Sequence, residues 1–132
     1  MSTMYERFNT WRHYAIEELN ASKGFDSELD KACFDTQQAL EFLIKAILLQ
    51  YGISFDKVHD IVELSGLLEQ TDIEFEKKDD LDLLATTITS WEELARYSSG
   101  IKTKQDTVRR VMNIIDNLNE AFLKKQEENN PE

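Results

Sequence analysis

The sequence predicts an all-α fold, an up-and-down four-helix bundle with one additional short helix. The first observation is composition: four Gly and one Pro among 132 residues favour long helices over a turn-rich β-sandwich. The second is periodicity, because apolar residues recur at intervals of three and four along successive segments. The third is Lys31–Tyr51, an apolar stretch that predicts a central helix covered on several sides.

Length and charge limit the class of protein. We expect a single domain over residues 1–126, followed by a polar tail, 127–132, that frays. The net charge of −11 weighs against broad binding to nucleic acid or to an anionic membrane. The single cysteine, Cys33, excludes an intramolecular disulfide and a multi-cysteine zinc site. The sequence shows no apolar leader and no membrane-length run, so we expect a cytoplasmic protein.

The first helix is expected over Met4–Ala21. Thr3 and Glu6 have the spacing of a capping box, which marks a helix start. An apolar stripe follows at helical intervals and consists of Met4, Phe8, Trp11, Ala15 and Leu19.

The remaining helices follow from the same kind of pattern. The central helix begins after Asp26 or Ser27 and ends at Gly52, since glycine is a common helix stop. The acids between Thr71 and Asp80 predict that most of this connector is solvated. The other helices are expected at about His59–Gln70, Leu81–Tyr97 and from Lys104 onward.

A polar row crosses the central helix. Gln37, Glu41 and Lys45 step by four, so they share one helix face, and Glu41 precedes Lys45 in the favourable order for an ion pair. One interpretation is a solvated stripe with a weak salt bridge. The other is a polar seam that faces a partner or a cleft, in which case these groups are partly desolvated.

Two further pairs could carry function. His59 and Asp60 open the short helix, where the helix dipole favours an acid and a histidine is more often structural than catalytic. Arg96 and Tyr97 close the fourth helix, where an arginine interacts with free carbonyls. The functional alternative is an arginine that binds phosphate, with the tyrosine as a stacking or hydroxyl partner.

Other motifs carry little weight. Arg7 and His13 lie about 120° apart on a helix, so they do not converge within one subunit. The acidic segment lacks the spacing and the glycine of an EF-hand loop. No glycine-rich phosphate loop, nucleophile elbow or zinc-binding HExxH motif is present. We therefore expect no cofactor and no metal.

The polar row of the central helix, the His59-Asp60 pair and the Arg96-Tyr97 pair follow one another along the chain. In these motifs and their order, the sequence resembles the HEPN family (higher eukaryotes and prokaryotes nucleotide-binding domain). The resemblance covers roughly Phe8–Tyr97, and the last helix fits in position only. Ser98 stands where the family commonly has Pro. The matching residues are Cys33, Phe34, Gln37, Gln38, Ala39, Glu41 and Lys45 in the central helix, then His59, Asp60, Ile61 and Leu64, then Arg96 and Tyr97.

The resemblance implies a helical bundle that forms a homodimer. Many small prokaryotic members resemble partners of minimal nucleotidyltransferases in toxin–antitoxin-like pairs. Another branch contains metal-independent ribonucleases, whose signature is a late Arg followed four to six residues later by His. No His follows Arg96 here, and Arg109 and Arg110 have none after them either. A usual acid/base or positioning group is thus missing.

The first hypothesis is a non-catalytic, cytoplasmic HEPN-like homodimer with a nucleotidyltransferase-type partner. A nucleotide or RNA ligand would bind in a polar cleft, and no membrane is involved. The second hypothesis is an RNA-cleaving toxin, and the third is a purely structural dimerisation bundle. The residues expected to line the cleft are Gln37, Glu41, Lys45, His59, Asp60, Arg96 and Tyr97.

Overall fold

The chain folds into a bundle of α-helices. A computed structural model describes residues 3–23, 27–58, 60–94 and 103–129, and within these ranges it contains five helices and no strand. The all-α prediction is confirmed. The helices are α1 (Met4–Ala21), α2 (Ser27–Gln50), α3 (Ile61–Leu68), α4 (Lys78–Leu94) and α5 (Gln105–Asn129).

The ends of α1 and α2 follow from local chemistry. The predicted capping box is present, because the Thr3 hydroxyl accepts from the Glu6 amide and the Glu6 side chain accepts from the Thr3 amide. After the C-terminal end of α2, Gly52 has a φ of 67°, in the left-handed region that favours glycine. The Ile53 amide donates to the Leu48 carbonyl at 2.9 Å, which completes a Schellman-type stop.

Two predicted boundaries differ from the structure. α3 is shorter than expected, because Asp60 caps it and the chain turns after Leu68. α4 begins three residues earlier than expected, at Lys78, and its first turn contains Asp79 and Asp80, where the helix dipole stabilises acids. The predicted end of α4 at Tyr97 lies outside the described residues.

The central position predicted for α2 is confirmed. α2 contacts α1, α3, α4 and α5. Apolar side chains line most of its circumference, and a helix of that kind needs neighbours on several sides. The largest fully buried side chains are Trp91, Phe8, Leu29, Leu40, Leu43, Ile44, Ile47, Leu48, Ile61, Leu64, Leu81 and Ile88.

Polar contacts attach α5 to the rest of the bundle. Arg12 on α1 donates through two nitrogens to the two carboxylate oxygens of Asp116, at 2.8 and 3.1 Å. The Tyr5 hydroxyl donates to Asn119 at 2.8 Å. On the other side of the bundle, Arg110 forms an ion pair with Asp80 at 2.9 Å. α5 therefore has fixed partners on both α1 and α4.

The connector between α3 and α4 is attached to the core and to α5 at two points. Ile73 lies in the core with 8% of its surface exposed. The backbone amide of Lys77 donates to the Asn117 side chain at 2.8 Å, which ties the connector to α5. Among the described helices, none is long and apolar enough to cross a membrane.

Replacement of Thr3 tests the start of α1. We expect Thr3→Ala to lower the free energy of unfolding by about 1 kcal/mol, because the Glu6 amide loses its acceptor at the helix start. Urea unfolding followed by circular dichroism measures this loss. Thr3→Ser keeps the hydroxyl and should unfold at nearly the wild-type midpoint. Equal losses for both variants would contradict the capping role.

Candidate functional site

The polar row of α2 is buried. Gln37 is 1% exposed, Glu41 5% and Lys45 6%, although all three side chains are polar. The interpretation of this face as a solvated stripe is therefore wrong. Since burying polar and charged groups costs free energy unless they are paired, the contacts of each group decide what the row can do.

Gln37 points towards α4. Its Nε2 donates to Oε2 of Glu92 at 3.3 Å. Its Oε1 is buried and has no hydrogen-bond partner in the described structure. The assignment of the amide N and O follows from this hydrogen bond to a carboxylate. The contact joins residues 55 positions apart and places the row at the interface between α2 and α4.

Glu41 and Lys45 form a buried ion pair. Lys45 Nζ lies 3.0 Å from Glu41 Oε2, and the two side chains are 7% and 6% exposed. The ammonium also lies 5.7 Å from the centre of the Phe55 ring, a cation–π distance. The two opposite charges compensate each other where water is largely excluded. An isolated charged lysine at this depth would be strongly destabilising.

Asp60 lies at the start of α3 and links α3 to α4. Its carboxylate accepts from the Val62 amide at 2.7 Å, which is the helix-start role considered above. The Thr89 hydroxyl of α4 lies 3.3 Å from Asp60 Oδ1 and accepts from the Ile61 amide at 3.0 Å. Asp60 is therefore held in place by both helices.

The remaining predicted site residues, His59, Arg96 and Tyr97, lie outside the described residues. Their place in the cleft stays a prediction. The two first-helix residues given little weight have partners of their own. The Arg7 guanidinium lies 5.7 Å from the centre of the Phe42 ring, and His13 lies 2.7 Å from Glu17 on the exposed side of α1.

Residues on α4 complete this region and were missed in the sequence. Glu92 contacts the polar row, and Thr89 contacts Asp60 and Ile61. Their spacing of three places them on the same face of α4, which is the signal the sequence contains. That signal does not reveal which helix the face meets, so the pairing needed the structure.

A second buried polar cluster lies between α1 and α2 and was also missed. Asp35 is 9% exposed, and Oε1 of Glu18 is buried without a hydrogen-bond partner in the described part of the chain. Burial, a hydrogen bond to Asp35 and the neighbouring Asp35 charge raise the pKa of Glu18 to about 8. Burial also raises the pKa of Asp35, although its bond to Glu18 and the charge of Lys31 oppose this rise. Burial and the neighbouring Asp35 therefore favour the protonated form of Glu18.

Two cavities lie away from the polar row. One of ≈ 520 Å³ lies between the segment 72–76 and α5, with Phe75 and Ala121 among its lining residues. The other, of ≈ 410 Å³, lies between the start of α1, the end of α2 and Phe122 of α5. Within the described ranges, no group of three His, Cys, Asp or Glu side chains is arranged to hold a metal ion.

The fold and this row define an α-helical bundle with a buried polar seam between α2, α3 and α4. A family model described as HEPN domain matches residues 8–126 of the 132. The chain therefore belongs to the HEPN domain family, and the resemblance predicted from the sequence is confirmed. No curated protein and no solved structure matches the chain.

Proposed function

We propose that this HEPN-domain protein is a non-catalytic, cytoplasmic binding protein. It forms a homodimer and acts with a minimal nucleotidyltransferase-type partner in a toxin–antitoxin-like pair. The polar row lines a cleft that binds a nucleotide or the partner's substrate. The observation that carries the non-catalytic role is the position of the histidines: the chain has two, His13 and His59, and neither follows Arg96.

The contacts of the row and of Asp60 converge on α4. Gln37 reaches Glu92, which precedes Arg96 by four residues in the sequence. Thr89, on the same helix, holds Asp60, the neighbour of His59. The polar row and the start of α3 are thus both tied to α4.

Recovery of the partner is the first test. The tagged protein is isolated from its source cells, and co-purified proteins and nucleotides are identified by mass spectrometry. We expect a nucleotidyltransferase in the eluate. A chain that recovers no nucleotidyltransferase from cells that express one would contradict the partnership.

Incubation with RNA is the second test. We expect purified protein to leave RNA intact, in the presence and the absence of divalent metal, because the late histidine is missing. The alternative, an RNA-cleaving toxin, predicts degradation without metal that is lost in His59→Ala and Arg96→Ala. Degradation lost in both variants would replace the non-catalytic proposal with this alternative.

The buried ion pair favours a second candidate, a purely structural bundle. Because Glu41 compensates Lys45, the row can stabilise the fold without binding anything. Calorimetric titration with ATP as the probe separates the two candidates. A cleft predicts binding that weakens in Lys45→Met but not in Lys104→Ala, whose side chain is exposed on another part of the chain. A structural bundle predicts no heat of binding and changes in stability alone.

A further inference from the structure

One face of the α1–α2 pair exposes aromatic and aliphatic side chains. Tyr14 is 50% exposed and Leu49 57%, while Trp11, Phe34 and Phe42 are partly exposed beside them. Two polar residues complete the surface. We call it the aromatic face, and it consists of Arg7, Trp11, Tyr14, Phe34, Gln38, Phe42 and Leu49.

The aromatic face is one continuous surface across both helices. Phe34, Gln38 and Phe42 step by four along α2, and Leu49 continues the same side two turns later. Rings from the two helices meet, since those of Trp11 and Phe34 lie 6.1 Å apart at an angle of 78°. The Arg7 guanidinium stacks at 5.7 Å from the centre of the Phe42 ring.

The charge distribution indicates what covers this face. The chain contains 26 acids and a net charge of −11, so two copies repel each other over most of their surfaces. None of the seven residues of the aromatic face is acidic. A strongly cationic partner would find better attraction elsewhere, for example at Glu74 and Glu76. A second copy, by contrast, can bring these seven side chains together without a carboxylate among them.

The side of the α1–α2 pair that carries the aromatic face has an area of the order that a dimer needs. α1 has 18 residues and is therefore about 27 Å long, and two adjacent helices are about 20 Å wide. The projected area of this side of the two helices is thus about 500 Å², and the aromatic face is a part of it. Stable interfaces bury about 800 Å² on each partner. Contiguous exposed apolar patches on a monomer commonly mark interaction sites.

We propose that a second copy of this chain packs on the aromatic face, with the same residues contributed by both subunits around a two-fold axis. The inference rests on the homodimer of the proposed function and identifies its interface. Buried aromatic anchors dominate the energy of such contacts, so Phe42 and Leu49 should matter most where the two faces meet.

Sedimentation equilibrium over a range of concentrations tests the interface. The wild type should be a dimer, and Phe42→Glu and Leu49→Glu should each weaken it at least about tenfold. Leu83→Glu is the matched control, because Leu83 is 70% exposed on α4, outside the aromatic face, and should leave the dimer unchanged. Circular dichroism verifies folding. If Phe42→Glu does not fold, the more exposed Leu49→Glu decides.

The outcomes separate this inference from the proposed function. A wild-type dimer that survives both substitutions overturns the aromatic face as the interface and leaves the homodimer standing. A wild type that is monomeric at all concentrations overturns both the interface and the homodimer, while the nucleotidyltransferase partnership is judged by co-purification. A monomer that loses that co-purified partner in Leu49→Glu shows that the partner, and not a second copy, occupies the face.

Discussion

Lys45→Met is expected to lower the free energy of unfolding by about 3 kcal/mol. Lys45 and Glu41 lie 3.0 Å apart with side chains 7% and 6% exposed. Methionine preserves the length of the apolar stem but removes the ammonium. The Glu41 carboxylate then loses this ion-pair contact in a site largely closed to water, and a loss of this size is typical of a broken buried ion pair.

The double variant distinguishes a broken pair from a damaged core. Glu41→Leu combined with Lys45→Met removes both charges and fills similar volume, so it should recover most of the loss. Urea unfolding of the two single variants, the double variant and the wild type completes a double-mutant cycle. A double variant that loses the sum of the single losses would show that the two charges are not coupled.

A matched control comes from an exposed pair with the same helical spacing. Glu17 lies 2.7 Å from His13, but the two side chains are 62% and 68% exposed. Glu17→Gln should leave the unfolding midpoint nearly unchanged, because exposed ion pairs contribute little. The two pairs share the i, i+4 geometry. The difference between the stability losses of Lys45→Met and Glu17→Gln therefore measures the effect of burial.

Periodicity was sufficient to predict the helices, because the apolar residues of each buried face recur at intervals of three and four within that helix. The bounds of α1 agree with the prediction since the Thr3–Glu6 capping box is a purely local signal. α2 was placed at the centre because its apolar residues cover most of its circumference. The early start of α4 was missed, because Asp79 and Asp80 suit both a solvated connector and a helical first turn.

The burial of the polar row could not be predicted in the same way. The step of four between Gln37, Glu41 and Lys45 fixes a shared face but not what that face meets. The answer depends on Glu92, which is 55 residues away in the sequence from Gln37. Long-range contacts of this kind leave no local pattern, which also explains why the pairing of Glu18 with Asp35 was missed.

Glu18→Gln is expected to make the protein more stable at alkaline pH. Burial and the adjacent Asp35 raise the pKa of Glu18 to about 8, whereas a free glutamate has a value near 4.5. The folded state therefore holds a proton that the unfolded chain has released, and wild-type stability falls as the pH rises from about 4.5 to about 8. Glutamine resembles the protonated acid, since its amide can donate to Asp35 without binding a proton.

The gain should grow with pH and then level off above pH 8. At pH 8.5 we expect Glu18→Gln to be more stable than the wild type by about 1–2 kcal/mol, less than the full shift implies because the side chain is partly solvated. Urea unfolding at intervals between pH 5.5 and 8.5 measures the difference in free energy of unfolding between the variant and the wild type. Within α2, Glu28 raises the pKa of Glu18 and Lys31 lowers it, so neither residue is altered in this comparison.

The neighbouring exposed acid controls for net charge. Glu17→Gln removes the same charge from α1, so any general effect of a less acidic chain appears in both variants. Glu18→Gln should change the slope of stability against pH, because burial and the neighbouring Asp35 raise the pKa of Glu18. Parallel slopes for the two variants and the wild type would mean that the two carboxyls ionise in the folded protein much as they do in the unfolded chain.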